Sequence, residues 1–140
     1  MTYVVEFSND MADSVLFKRA FHWYGSAIKS MRIVKEETIS PNLIVAKGEM
    51  DLLMPAEGKE PQAKAFRLKY SMESRIDGNK ITTKIFRFNV QNTIYSPIEP
   101  WIKEQDEDYL KKFYLLFIED KSQEILSSFK EFVNVTIYRN

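Results

Sequence analysis

The chain has 140 residues, of which 44% are hydrophobic, 14% aromatic and 29% charged. That balance fits one globular domain over residues 1–140 and favours neither a disordered chain nor a membrane class. Lys plus Arg (20) equals Asp plus Glu (20), so the formal charge is zero, without the basic excess that phosphate neutralisation demands of a nucleic-acid binder. Cysteine is absent, which excludes disulfides, thiolate nucleophiles and Cys-ligated zinc. No apolar run approaches the roughly 20 residues that span a bilayer, so a soluble domain without a transmembrane segment is expected.

Thr2 to Phe7 is β-branched and aromatic and predicts a short strand. These residues carry no basic stretch followed by an apolar one, so no export signal is expected here. Ser8, Asn9 and Asp10 are three candidate N-caps for a helix from about Asp10 to Ser30. Leu16, Ala20, Trp23 and Ala27, with Phe17, Phe21, Tyr24 and Ile28 beside them, make its broad apolar face. Lys18, His22, Gly25 and Lys29 make the opposite, polar stripe.

Met31 to Ile39 predicts a strand ending in the turn cluster Ser40-Pro41-Asn42. From Leu43 to Met54 the alternation is plain. Ile44, Ala46, Gly48, Met50 and Leu52 point one way, and Lys47, Glu49 and Asp51 the other, as in a strand with one buried face. Pro55 to Lys64 is polar and contains Gly and Pro, and reads as a hairpin loop. Phe66, Leu68, Tyr70, Met72 and Ile76 then alternate with Arg67, Lys69, Ser71, Glu73 and Arg75. Asp77-Gly78-Asn79 is a hairpin turn, because Gly and Asn tolerate positive φ. The return strand, Lys80 to about Ile94, changes phase. Ile81, Thr83 and Ile85 mark one face, and Phe86, Phe88 and Val90 the other, so a β-bulge near Ile85 is expected to bring both sets to the core.

Ser96-Pro97-Ile98-Glu99 has the form of a capping box with Pro at the first helical position. Pro100 predicts a short turn before a long helix from about Glu104 to Val133, with pairs Glu107/Lys111 and Asp108/Lys112. Tyr109, Leu110, Phe113 and Phe117 read as its first apolar face. Ile125, Phe129, Phe132 and Val133 read as a second, rotated one, which implies a bend or a wrap around a curved sheet. Val135 to Tyr138 predicts a terminal strand or ordered tail.

The order β-α-β-β-β-β-α predicts a two-layer α+β fold, with both helices on one face of a curved antiparallel sheet. It is similar to the repeat unit of the TATA-binding-protein-like (TBP-like) fold. Three stretches resemble a family of bacterial domains with that fold: Lys18 to Tyr24, Ile44 to Met50, and Phe66 to Phe88 around Asp77-Gly78. The resemblance implies a cell-envelope or periplasmic setting and brings no catalytic residues. Nucleic-acid-binding members of the fold use an apolar sheet face with interleaved basic residues, whereas the open face here mixes Lys47, Arg67, Lys69 and Arg75 with Glu49, Asp51 and Glu73.

No catalytic, cofactor or metal constellation is expected. His22 is the sole histidine and lies on the polar stripe. Glu36 and Glu37 are adjacent in a strand and point apart. Glu49 and Asp51 share a face among solvated neighbours, and Asp106 to Asp108 favour a helix N-terminus. Gly48 marks a bulge or makes room for a large neighbour such as Trp23. Met50, Met54 and Met72 read as core.

Two surfaces are candidates. Arg67, Lys69, Arg75, Lys84 and Arg87 form a patch on the open face. Tyr70, Met72, Phe86, Phe113 and Phe117 line an apolar pocket between the sheet and the last helix. The expected function is non-enzymatic: a binding or structural module acting by protein–protein contact, with weak homodimerisation through an exposed edge strand, or alternatively a carrier of a small apolar ligand in that pocket.

Overall fold

The computed structural model describes residues 1–27, 34–35, 43–53, 64–91 and 95–135. Most of the expected strand 31–39 with Glu36 and Glu37, most of the loop 55–64 with Met54 before it, and the tail 136–138 lie outside the described residues. The elements in order are β1 (Thr2–Ser8), α1 (Asp13–Ala27), β2 (Val34–Lys35), β3 (Leu43–Leu53), β4 (Lys64–Asp77), β5 (Lys80–Gln91), β6 (Tyr95–Pro97), α2 (Glu99–Glu104) and α3 (Tyr109–Asn134). The strands form one antiparallel sheet in the order β1-β5-β4-β3-β2, with β6 also paired to β5. The architecture is α+β, as the sequence order requires.

The β4–β5 hairpin turns at Gly78 (φ 59°) and Asn79 (φ 67°), both in the left-handed region that a tight hairpin needs. The Asp13 carboxylate accepts from the backbone N–H of Gly78 (3.2 Å) and of Asn79 (2.8 Å), which ties the start of α1 to this turn. Helix α1 therefore starts at Asp13 rather than Asp10. Asn9 Oδ1 accepts from Met11 N–H at 3.0 Å, a local turn that leads into the helix instead of capping it. Leu16, Ala20, Trp23 and Tyr24 are buried, whereas Lys18, His22 and Gly25 are exposed.

The bulge lies two residues beyond Ile85. Register runs from Lys69↔Asn89 to Ser71↔Phe86, so Tyr70 alone faces Arg87 and Phe88. Arg87 has φ 54°, a backbone conformation usually left to glycine. The extra residue puts Ile81, Thr83, Ile85, Phe88 and Val90 all in the core, as expected, but it leaves Phe86 on the other side of the sheet. The bulge also marks a change of neighbour. On the side of β5 away from β4, β1 pairs with Lys80 to Phe86 and β6 with Asn89 to Gln91.

The C-terminal segment departs from expectation in three ways. Ser96 does not cap a helix; it belongs to β6, paired with Val90, and α2 starts after Ile98 with no side-chain cap. The long helix is interrupted, because Asp108 is extended (φ −129°, ψ 103°) and its carboxylate caps the N–H groups of Leu110 and Lys111. Lys111 meets Glu104 and Asp108 (3.6 Å) in place of Glu107. Finally, the buried stripe of α3 is Tyr114, Leu115, Ile118, Ser122, Ile125, Leu126, Phe129 and Val133. That stripe is continuous at helical spacing, so no rotated second face is needed.

All three helices pack on the face of the sheet that carries Phe7, Phe66, Tyr70 and Ser74. Phe129 meets Phe7, Trp23 and Tyr24 with ring centroids 5.1–6.1 Å apart, all edge-on. Phe66 meets Trp101 (5.3 Å) and Tyr114 (5.6 Å). Tyr70 lies over Gly48, where a Cβ would fall 2.3 Å from the ring. The large neighbour of Gly48 is therefore Tyr70 and not Trp23. Between α1 and the sheet, Tyr24 Oη, Ser74 Oγ and Thr83 Oγ1 form a buried hydroxyl chain with 2.7 Å links. Arg19 donates to the carbonyls of Val133 (3.0 Å) and Val135, where the end of α3 concentrates partial negative charge.

Candidate functional site

Side chains alternate along a strand, so the residues between the buried ones define a second face. On β4 these are Arg67, Lys69, Ser71, Glu73 and Arg75. Register sets them beside Asp51, Glu49, Lys47, Val45 and Leu43 of β3. On the other flank stand Phe86, Lys84 and Thr82 of β5, followed by Thr2, Val4 and Glu6 of β1. No described helix packs on this open face.

Four of its cations are paired with carboxylates across strands. Arg67 lies 3.8 Å from Asp51, Lys69 4.0 Å from Glu49, Lys84 3.4 Å from Glu73, and Lys80 2.9 Å from Glu6. Rings are set among them. The Lys69 ammonium lies 4.2 Å from the centre of the Tyr95 ring, and Phe86 has Lys84 at 4.8 Å and Arg87 at 5.3 Å. Cation–ring contacts at this range are attractive, so these cations are held by both a carboxylate and a π-face, or in the case of Arg87 by the ring. Val4 adds exposed aliphatic surface (51% exposed). The result is a polar sheet face that carries both signs of charge, cations in excess, with apolar rings embedded in it.

The structure thus places Arg67, Lys69, Arg75, Lys84 and Arg87 on one surface, with Arg75 at Thr82 in the register and Arg87 at the bulge. It does not bring Tyr70, Met72, Phe86, Phe113 and Phe117 together. Tyr70 and Met72 are enclosed in the core, Phe86 is on the opposite face, and Phe113 and Phe117 are half-buried on the flank of α3. The pocket expected between sheet and helix is not assembled from these residues, because the bulge falls after Phe86 and α3 turns Tyr114, Leu115 and Ile118 inward instead. The carrier reading loses its site with it.

Sequence reasoning missed Tyr95, Val4, Glu6 and Lys80 as parts of the open face. Period-2 alternation in Thr2 to Phe7 carried the signal for Val4 and Glu6, but the partner strand and register did not follow from it. Burial pushes the hydroxyls of Tyr24 and Tyr70 well above the ordinary tyrosine range, for Tyr24 against a partly opposing hydrogen bond from Ser74. Both are core groups. Among the described residues no group of three His, Asp or Glu side chains could hold a metal ion, and no helix is long and apolar enough to cross a membrane. His22 stacks on Phe132 at 5.7 Å.

No known family's sequence profile matches the chain, and no curated protein matches it. Solved structures do. A DUF4468 family protein from Bacteroides ovatus superposes with a TM-score of 0.68 at 12% identity, over 99% of this chain and 89% of that one. A TBP-like protein from Parabacteroides distasonis gives 0.63 at 12% identity, over 92% of each chain. The chain has a TBP-like α+β fold, similar to those of these bacterial proteins. At such identity the likeness carries the fold alone.

Proposed function

We propose that this protein is a non-enzymatic binding or structural module that acts by protein–protein contact through the open face of its sheet. The observation that carries the reading is the composition of that face: Phe86, Tyr95 and Val4 lie uncovered by any described helix, and Lys69 and Lys84 beside them are paired with carboxylates across strands. Charges compensated by their neighbours are less costly to enclose than isolated ones, and aromatic rings beside arginine are the side chains that interface centres favour.

The test is affinity capture from bacterial extract with the wild-type protein and with the Val4→Glu/Phe86→Glu double variant. Both positions lie outside the core, so the variant's circular dichroism and melting should match the wild type. A protein retained by the wild type and lost by the variant supports the reading. Equal capture by both, or capture by neither, rejects it.

A further inference from the structure

For its first turns α3 is apolar on two sides. One side is the buried stripe that starts at Tyr114, Leu115 and Ile118. The other consists of Tyr109, Leu110, Phe113, Leu116 and Phe117, spaced i, i+1, i+4, i+7 and i+8, which is one helical face, exposed at Tyr109, Leu110 and Leu116. Tyr109 is 73% exposed, Leu116 52% and Leu110 45%. Phe113 and Phe117 are half-buried and root the stripe, Phe113 against Tyr114 at 5.7 Å. Single exposed apolar residues need no explanation, but a contiguous row of five on a rigid helix marks an interaction site.

The surroundings of the stripe select what covers it. On its N-terminal side stand Asp106 and Glu107 in the turn between α2 and α3, both exposed. Beyond Phe117 the same helical face continues as Asp120, Glu124, Ser127 and Glu131, all exposed. Lys121 also reaches this face, 5.9 Å from the centre of the Phe117 ring and 3.3 Å from Glu124, so beyond Phe117 the unopposed acids among the described residues are Asp120 and Glu131. The stripe is therefore apolar in the middle, with acid in excess of base at both ends. A second copy of this chain fits it badly. Antiparallel pairing about Phe113 sets Asp120 of each copy against Asp106 of the other, and parallel pairing sets every acid against itself. Like charges brought together under an interface oppose association.

We infer that this face of α3 docks an amphipathic helix of another protein, one whose apolar side chains are flanked at both ends by lysine or arginine. Such a helix lays its apolar residues along the Tyr109–Phe117 row and sets its basic ends on Asp106/Glu107 and on Asp120, which is helix-on-helix recognition with charge fixing the register. The inference goes beyond the open-face reading and stands independently of it.

The experiment uses fluorescence anisotropy with two labelled synthetic peptides of about 18 residues, long enough to be helical. Both carry Leu and Phe at i, i+3, i+4 and i+7; one has lysine at its ends and the other glutamate. The full chain should bind the lysine peptide at least about ten-fold more tightly than its glutamate twin, with the gap narrowing at high salt. Leu116→Glu should abolish binding while leaving the melting temperature unchanged, because Leu116 lies outside the core. The Val4→Glu/Phe86→Glu variant should bind the peptide as the wild type does, so failure of the open-face reading and failure of this one are separable. Binding of neither peptide, or of both equally, overturns the inference. A dimer in analytical ultracentrifugation that Leu116→Glu dissolves overturns it in favour of self-association, and Leu116-dependent binding to neutral phosphatidylcholine vesicles overturns it in favour of a membrane.

Discussion

The two faces of β4 are built from alternate residues of one strand and solve different problems. Toward the helices, Leu68, Tyr70, Met72, Ser74 and Ile76 are packed so tightly that the neighbouring strand must carry Gly48 to admit the Tyr70 ring. Toward the open side, Arg67, Lys69 and Glu73 keep long side chains in partial contact with water and find partners one strand away. Shape decides the first face and charge compensation the second. Substitutions should therefore be costly on one and nearly free on the other, which makes stability measurements a direct way to break the comparison.

The largest effect belongs to Phe129, fully enclosed and edge-on to Phe7, Trp23 and Tyr24. Phe129→Ala should lower the unfolding free energy by about 3–5 kcal/mol in urea titration, from lost burial and the cavity left behind. A loss below about 1 kcal/mol would mean that α3 does not seal this face.

Gly48→Ala comes next. The new methyl meets a ring wedged against Phe88 (6.2 Å), so the core must shift, at a cost of about 1–3 kcal/mol. Tyr70→Leu in the same chain should relieve the clash, and a double-mutant cycle would show coupling between the two positions. Additive effects would contradict the packing described.

Tyr24→Phe is smaller at neutral pH, about 1 kcal/mol for one buried hydrogen bond, since Ser74 keeps its bond to Thr83. Its sharper signature is alkaline. Burial raises the folded-state value of Tyr24 above the ordinary 10.0, so the neutral hydroxyl's contribution is complete below that pH and is lost as pH rises through the folded value. Wild-type stability should fall steeply above pH 10, and the variant's fall should be shallower; parallel curves would exclude Tyr24 as a titrating group. Smallest is Lys84→Ala on the open face, expected to change stability by no more than about 0.5 kcal/mol in the same titration. A larger loss would give the ion pair and the Phe86 contact a structural weight that the comparison denies them.

The division between the faces was legible in the sequence, because period-2 alternation in residues 43–53 and 66–76 separates the two sets without any knowledge of partners. The Asp77-Gly78-Asn79 turn was equally plain, since positive φ narrows the choice of residue. What stayed hidden depended on register or on choosing between two stripes. The bulge was expected from the phase change, but Ile85, Phe86 and Arg87 are all compatible with it locally, and its place shows only in the β4–β5 register, where the other neighbour of β5 changes from β1 to β6. In α3 the sequence offers Tyr109-Leu110-Phe113-Phe117 and Tyr114-Leu115-Ile118 equally. The second continues through Ser122 into Ile125 and Phe129, and that continuity was the signal to follow. The open-face residues of β4 could be named, whereas the pairing of Lys69 with Tyr95 could not, because β6 is three residues long and has no pattern of its own.

Strands β3, β4 and β5 are neighbours in sequence as well as in space, but β1 is not. It reaches β5 across more than seventy intervening residues, and Asn9 beside it hydrogen-bonds Asn134, 125 positions away. During synthesis the central meander can therefore pair as it emerges, while the Thr2–Ser8 segment waits, first for β5 and then for the far end of α3. Closure at that edge comes only after α3 has been made, when loop-closure entropy is finally offset by Phe7 packing on Phe129. Until then the nascent chain displays an unpaired β5 border, the stretch most open to pairing with a neighbouring polypeptide.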